Sequence, residues 1–193
     1  MIKTFFLEIF LIFNFIISIF PGNSGKLLRK LICKIRFKKL GKNFLSDIFF
    51  SYTFPKNISI GNNCSLMKNC SLVACKNSKI IIKNNISVNR NVSINSANGT
   101  YIKIGNDVLI GDNVLIRAAS HNYYNKNKKI RYQGHKVGKI FIGDNVWIGA
   151  NSVILPNVII QDGAVIGAGT IVSRNVYKNE IVVSSKQKVL KKY

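Results

Sequence analysis

An aliphatic residue returns at every sixth position through most of this chain. The segment IGDNVWIGANSVILPNVIIQDGAVIGAGTIV shows the repeat without interruption. An α-helix repeats every 3.6 residues and a simple strand every 2, so neither element alone explains the spacing. A fixed repeat predicts stacked structural units. Fifteen positions in one frame are Ile, Leu or Val: Ile60, Leu66, Leu72, Ile82, Val88, Ile94, Ile104, Ile110, Ile116, Ile142, Ile148, Ile154, Ile160, Ile166 and Val172.

A second signal lies three residues after each aliphatic position, where twelve of fifteen residues are Asn, Asp or Gly. These residues tolerate the left-handed backbone that a sharp corner needs. Each of the exceptions, Cys75, Ala97 and Ala119, lies in the third hexad of a group of three, and extra residues follow each of them. The pattern therefore predicts an all-β, three-sided solenoid of about five coils over 58–177. Its insertions leave from one corner, and the longest is a loop over 122–141.

The formal net charge of +22 is extreme, with only seven acidic residues. Such a charge is typical of proteins that contact nucleic acid or an anionic membrane. Part of it can equally reflect a composition rich in Lys, Asn and Ile. No familiar nucleic-acid module is present, so we do not expect nucleic acid as a partner. Cys64 and Cys70 occupy the same inward position of consecutive hexads, which predicts core packing rather than disulfides.

Residues 1–57 do not follow the repeat and form a separate head. The run from Ile9 to Phe20 is apolar but short of the ~20 residues that span a bilayer. The following stretch, GKLLRKLICKIRFKKLGK, predicts a helix with Leu27, Leu31 and Ile35 on one face and basic residues around it. This order predicts an anchor on an anionic membrane surface. The alternative is a helical pair that packs on a partner subunit. Residues 178–193 form a tail.

The motif IGNDVLIGDNVLIRAASH, followed by a loop and then IGDNVWIGANSVILPNV, resembles the hexapeptide-repeat acyltransferases. Within that family it is similar to the maltose, galactoside and polysaccharide O-acetyltransferases. The resemblance implies a left-handed parallel β-helix, a homotrimer and acetyl-CoA as co-substrate. Zinc-dependent members of the family use three histidines, and this chain has only His121 and His135, so no metal is expected.

The resemblance also implies roles for individual residues. His121 stands seventeen residues after Ile104, where the family has its general base, and neutral His suits that role. Asn91 falls at an acceptor-contacting position, although it is equally an ordinary corner Asn. The expected coenzyme A contacts are Trp147, Ala150, Ala168, Ser173 and Arg174.

These observations predict an O-acetyltransferase that modifies a sugar hydroxyl during bacterial surface polysaccharide synthesis. The family's sugar-recognising N-terminal helices are replaced by the apolar, basic head, which favours a membrane-bound or lipid-linked glycan as acceptor. The expected location is the cytoplasm, at the inner face of the cytoplasmic membrane. Two alternatives remain: an N-acetyltransferase acting on an amino-sugar nucleotide, and a non-catalytic scaffold that binds membrane or an anionic polymer.

Overall fold

The computed structural model describes residues 12–97 and 99–184, and these form a parallel β-solenoid with a helical head. Two helices come first: α1, described over 12–19, and α2 (Gly22–Arg36). Short 3₁₀ turns occupy Pro55–Asn57 and Ile130–Tyr132. The first eleven residues, which include the start of the apolar run, and the end of the tail lie outside the described residues.

Three parallel sheets, A, B and C, form the sides of the prism. Sheet A contains β1 (Lys39–Leu40), β4 (Ile58–Ile60), β7 (Lys79–Ile82), β10 (Tyr101–Ile104), β15 (Lys139–Ile142) and β18 (Ile159–Ile160). Sheet B contains β2 (Leu45–Ser46), β5 (Cys64–Leu66), β8 (Ile86–Val88), β11 (Leu109–Ile110), β16 (Trp147–Ile148), β19 (Val165–Ile166) and β21 (Ile181–Val182). Sheet C contains β3 (Ser51–Thr53), β6 (Ser71–Ala74), β9 (Ser93–Ser96), β12 (Leu115–Arg117), β17 (Val153–Ile154) and β20 (Ile171–Val172).

The predicted left-handed β-helix with a helical head is confirmed, with about six turns. The additional coil precedes the predicted start of the prism. Strands β1, β2 and β3 pair in parallel with β4, β5 and β6, so the solenoid begins at Lys39 rather than at residue 58. The hexad pattern misses this coil because Ser46 and Tyr52 stand opposite Leu66 and Leu72, where the frame expects aliphatic residues. The buried Phe44 and Phe50 fill the interior of this coil.

The core and the corners follow the two sequence signals. All fifteen aliphatic residues of the frame are buried. Eleven of the twelve predicted Asn, Asp or Gly corners have a positive φ, and the exception is Asn175, whose side chain instead accepts a hydrogen bond from the Ile159 amide at 2.9 Å. Each coil thereby stacks on the next with a continuous aliphatic interior, which is the main favourable term in folding.

The head covers the first coil in an unexpected orientation. Helix α2 turns Gly25, Arg29 and Cys33 toward the prism, and all three are buried. The predicted apolar face points the other way, with Leu31 48% and Ile35 76% exposed. No helix in the described part of the chain is long and apolar enough to cross a membrane.

Candidate functional site

His121 lies at the end of β13 (Ala119–His121), which pairs antiparallel with β14 (His135–Val137) in a small fourth sheet. This hairpin leaves the prism at the corner between sheets C and A, hereafter the C–A corner. Its base is closed by a 2.9 Å hydrogen bond from the Gly138 amide to the Ala118 carbonyl. The insertion therefore begins at residue 119 and ends at 138, slightly earlier than predicted. His121 is exposed at the start of the excursion, where a substrate can reach it.

His135 is the direct cross-strand neighbour of His121, and their ring centroids are 4.3 Å apart. The two ring planes are inclined to each other by 38°, which is a tilted contact. Both imidazoles are exposed on the hairpin. In the sequence, His135 was considered only as a possible metal ligand. Its pairing with His121 could not be predicted, because the loop sequence has no repeat that would indicate which residues face each other.

Gln133 holds the rest of the loop together, and nothing in the sequence singled it out. Its side-chain amide donates to the Asn125 carbonyl at 2.8 Å and to the Lys128 carbonyl at 2.7 Å, and its side-chain oxygen accepts from the Asn125 amide at 3.1 Å. Beside His121, the Asn122 amide donates to the Gly134 carbonyl at 3.0 Å. These bonds stabilise a long loop beside His121, where an unsupported loop would be mobile.

The loop is also cationic, since no Asp or Glu occurs between Asp112 and Asp144. An aromatic pair precedes the basic residues, with the rings of Tyr123 and Tyr124 4.5 Å apart. A hydrogen bond with the Tyr124 side chain raises the pKa of the Tyr123 hydroxyl. The surface around His121 therefore combines a positive field with exposed aromatic rings. The basic residues of the loop are Lys126, Lys128, Lys129, Arg131 and Lys136.

Trp147 lies on the outer face of sheet B and is 55% exposed. Leu109 and Val165 flank it in register on the neighbouring coils. Leu109 is 53% exposed and Ile181, one coil beyond Val165, is 74% exposed. This column of outward apolar side chains is unusual for a surface that meets only water, and it fits a face that contacts a ligand or another chain.

Ala150 and Ala168 lie one above the other just beyond Trp147, at the corner between sheets B and C, hereafter the B–C corner. The backbone is tightly packed there, because a Cβ on Gly149 would lie 2.5 Å from the Ala168 nitrogen. The Gly169 amide donates to the Ala150 carbonyl at 2.8 Å. Small side chains keep the wall low beside the Trp147 ring, which leaves a shelf where an extended ligand can lie.

Ser173 and Arg174 directly follow β20 and are exposed. They occupy the C–A corner of the sixth coil, two coils from the corner where the His121 hairpin leaves the fourth. The candidate residues thus form two groups, which lie at opposite ends of the strands of sheet C. The hairpin and Arg174 lie at the C–A corner, whereas Trp147, Ala150 and Ala168 lie on sheet B and at the B–C corner.

Asn91 belongs to a ladder of asparagines at the B–C corner. Its backbone is left-handed, with φ of 60°. Its side-chain oxygen accepts from Asn69 at 3.0 Å, and its nitrogen donates to Asn113 at 2.9 Å. Both ends of the amide are therefore used to connect coils. This geometry accounts for Asn91 as a corner residue, and it lies at the other end of sheet C from the hairpin's corner.

The described residues contain no group of three or more His, Cys, Asp or Glu that could hold a metal ion. Two clefts are present in the same part of the chain, and neither is lined by any of the seven predicted site residues. One, of about 380 Å³, lies on the outer face of sheet A, and the other, of about 470 Å³, lies under the helical head. His121, Trp147 and Arg174 are exposed on the surface of one copy of the chain.

Comparison with known proteins finds similar sequences and similar folds. Residues 139–174 match the family described as bacterial transferase hexapeptide (six repeats). The protein YvoF of Bacillus subtilis (strain 168), which carries the name of an acetyltransferase, is 45% identical over 56 residues, covering 29% of this chain and 33% of that protein. The matched segment thus spans about a third of the length of the curated relatives that it matches.

Two solved structures share most of the fold. A point mutant of AntD, an N-acyltransferase from Bacillus cereus in complex with dTDP-4-amino-4,6-dideoxyglucose and coenzyme A, is 27% identical with a TM-score of 0.67. The match covers 80% of this chain and 83% of that chain. A maltose O-acetyltransferase from Clostridium difficile 630 is 25% identical with a TM-score of 0.55, covering 80% and 69%.

Proposed function

The resemblance to the hexapeptide-repeat acyltransferases is confirmed by these matches, and from that premise we propose that the chain moves acetyl from acetyl-CoA to a sugar hydroxyl of a bacterial surface polysaccharide. The observation that carries the proposal is the placement of His121 on a braced, solvent-accessible hairpin at the C–A corner. A base in this position can be reached by an acceptor from solvent.

The chemistry needs few groups. The neutral imidazole of His121 takes the proton of the acceptor hydroxyl while its oxygen attacks the thioester carbonyl carbon. The new C–O ester bond forms, the C–S bond breaks, and coenzyme A leaves as the thiolate, which takes the proton back from the imidazolium. His135 lies against His121 and can hold the base in orientation. General base catalysis of this kind contributes about 10²–10⁴-fold in rate.

The donor would lie along the shelf at the B–C corner. The ring of Trp147 offers a flat surface for the pantetheine arm, and Ala150 and Ala168 leave room beside it. Arg174, supported by Ser173 at the C–A corner of a neighbouring copy, meets the phosphates of the coenzyme through charge-assisted hydrogen bonds. This assignment makes acetyl-CoA a co-substrate and calls on no metal.

A homotrimer explains why these groups lie at two corners of one prism. The C–A corner of one copy must meet the B–C corner of another to bring His121 and Trp147 to one ligand. Such a contact is heterologous, and it closes into a ring when the rotation between copies allows it. A three-sided prism suits a three-fold ring, and the apolar column on sheet B supplies a surface to bury.

The acceptor follows from charge and from the head. The basic loop attracts an anionic glycan or a phosphate-linked one. The exposed apolar face of α2, with Lys30 and Lys34 beside it, suits the plane of an anionic bilayer, so that the enzyme acts at the inner face of the cytoplasmic membrane. A lipid-linked glycan satisfies both features.

The test compares surface polysaccharide from cells that lack the protein with cells that carry wild type, His121→Ala or the control His135→Gln. Acetyl esters measured by mass spectrometry are expected with wild type, are lost with His121→Ala, and are reduced only partly with His135→Gln. With purified protein, His121→Ala should lower the rate by about 10²–10⁴-fold with the fold intact. A loss below tenfold would remove His121 from the role.

A second candidate is N-acylation of an amino-sugar nucleotide, favoured by the similarity to AntD, whose complex contains such a sugar. The same base would then deprotonate the amine during its attack on the thioester. Soluble amino-sugar nucleotides would be acetylated without membranes, whereas the first candidate requires a glycan acceptor. A screen of both acceptor classes with purified trimer and acetyl-CoA separates the two.

A further inference from the structure

The cleft under the helical head has the composition of a ligand site. It measures about 470 Å³, within the range of small-molecule pockets, and lies between α1, α2 and strand β3 of the first coil. Its apolar wall is formed by Phe15, Ile17, Ile32, Phe49 and Phe50. Its polar groups include two arginines, and no carboxylate lines it.

Arg29 is the charge that this cleft leaves uncompensated. The residue is only 4% exposed and donates from Nε to the Ser46 carbonyl at 3.0 Å and from Nη1 to the Phe20 carbonyl at 2.8 Å. Its Nη2 is buried and has no hydrogen-bond partner among the residues that the structure describes. Burial lowers the pKa of this guanidinium, and Asp47 offsets that effect only in part. A buried cation bound only to neutral carbonyls favours a nearby anion.

The mouth of the cleft adds a second cation and exposed aromatic surface. Arg36 donates to Asn14 Oδ1 at 2.9 Å and to the Tyr52 hydroxyl at 3.2 Å, and its guanidinium lies 5.1 Å from the Tyr52 ring centroid. Phe15 is 61% and Phe49 42% exposed. The apolar wall of the cleft thus continues to the outside at Phe15 and Phe49.

We propose that this cleft binds one anionic phospholipid of the bilayer, with the phosphate at Arg29 and Arg36 and an acyl chain along the aromatic wall. This inference rests on the membrane-surface part of the proposed function and not on the acyl transfer. Binding of a single lipid in this cleft would link both head helices to the first coil. The attachment to the membrane would then depend on one specific lipid as well as on general electrostatic attraction. The head would then be fixed relative to the hairpin that carries His121.

The test uses full-length protein and soluble short-chain lipids below their micelle concentration, with calorimetry as the readout. Dihexanoyl phosphatidic acid should bind once per chain and at least tenfold more tightly than dihexanoyl phosphatidylcholine, and inorganic phosphate should not bind. Arg36→Gln should weaken the phosphatidic acid complex at least fivefold. The matched control is Lys34→Gln, which removes the same charge from the same helix at an exposed position outside the cleft and should change binding less than twofold.

A second variant guards against a folding effect of Arg36→Gln. Ser51→Trp fills the cleft from the prism side without altering charge, and it should abolish lipid binding while the circular dichroism stays that of the wild type. Equal binding of the two lipids, equal weakening by Lys34→Gln, binding of inorganic phosphate alone, or unchanged binding by Ser51→Trp would each overturn the proposal. Because no acetyl group is measured, a negative result leaves the proposed acyl transfer intact, and a failed acetylation assay leaves the lipid site intact.

Discussion

The prism and helix α2 differ in what becomes of their apolar residues. Inside the prism, every position that the six-residue period marks as apolar is buried. In α2, the marked apolar face is exposed, and the helix turns Gly25, Arg29 and Cys33 toward the protein. An amphipathic pattern therefore predicts which residues form the apolar face of an element, but it does not predict which surface covers that face. In a solenoid, the apolar residues of each coil are covered by the next coil. The apolar face of a terminal helix can instead be covered by a membrane or by another protein.

The largest expected effect tests the prism side of this comparison. Ile148 is fully buried in the middle of sheet B, and Ile148→Ala leaves a cavity between neighbouring coils. We expect the free energy of unfolding to fall by about 2–5 kcal/mol, measured by urea denaturation at fixed protein concentration. The conservative change Ile148→Val serves as control and should cost about 0.5–1.5 kcal/mol. Equal costs for the two changes would contradict a tightly packed interior.

The next effect concerns the buried arginine of the head. Arg29→Met preserves much of the side-chain volume but leaves the carbonyls of Ile17, Phe20 and Ser46 without their donor. We expect a loss of about 1–3 kcal/mol in the free energy of unfolding, since buried acceptors would be left unpaired. Proteolysis near residue 21 should quicken as the head detaches. Lys30→Met, one position along the helix, is the control and should change neither measurement.

Buried cysteines in both regions give a pH effect, since burial raises the pKa of Cys70 in the prism to about 11 and that of Cys33 in the head further. Burial raises the pKa of Cys33 to about 12 from an ordinary value of 9.0. The folded state therefore keeps its proton while the unfolded state loses it, so stability falls as pH rises from about 9 to about 12. Cys33→Ala should lessen this decline. At pH 8, iodoacetamide should modify the half-buried Cys75 before Cys33, Cys64 or Cys70, and faster labelling of Cys33 would contradict the packing of the head.

The smallest effect on stability is expected on the exposed face of the head. Leu31→Ser should change the free energy of unfolding by less than about 0.5 kcal/mol, because Leu31 is already 48% exposed. The same change should weaken binding to vesicles containing anionic lipid by about tenfold, measured by sedimentation. Tyr177→Ser, at an exposed position in the last part of the prism, is the control and should leave vesicle binding unchanged. A stability loss above 1 kcal/mol would indicate that a partner chain covers this face.

The candidate site shows the same division between pattern and packing. The position of His121 could be predicted, because the spacing from Ile104 places it at the end of a hexad and at the start of an insertion. Its cross-strand contact with His135 and the bracing by Gln133 could not, since the loop has no period and its antiparallel pairing depends on contacts between distant residues. For Asn91, the preference of asparagine for left-handed corners is enough to explain the residue. Its side-chain amide is bonded to Asn69 and Asn113 in the ladder.

The sequence by itself determined the prism, because each hexad repeats the same local choice and stacking allows only one arrangement of the aliphatic residues. It determined eleven left-handed corners for the same reason, since Asn, Asp and Gly accept a backbone that other residues avoid. Only the tertiary structure decided where the solenoid begins, because Ser46 and Tyr52 occupy frame positions of the first coil where later coils have aliphatic residues. It also decided which face of α2 meets the protein, since hydrogen bonds from one buried arginine to carbonyls of α1 and β2 outweigh the apolar pattern of the helix.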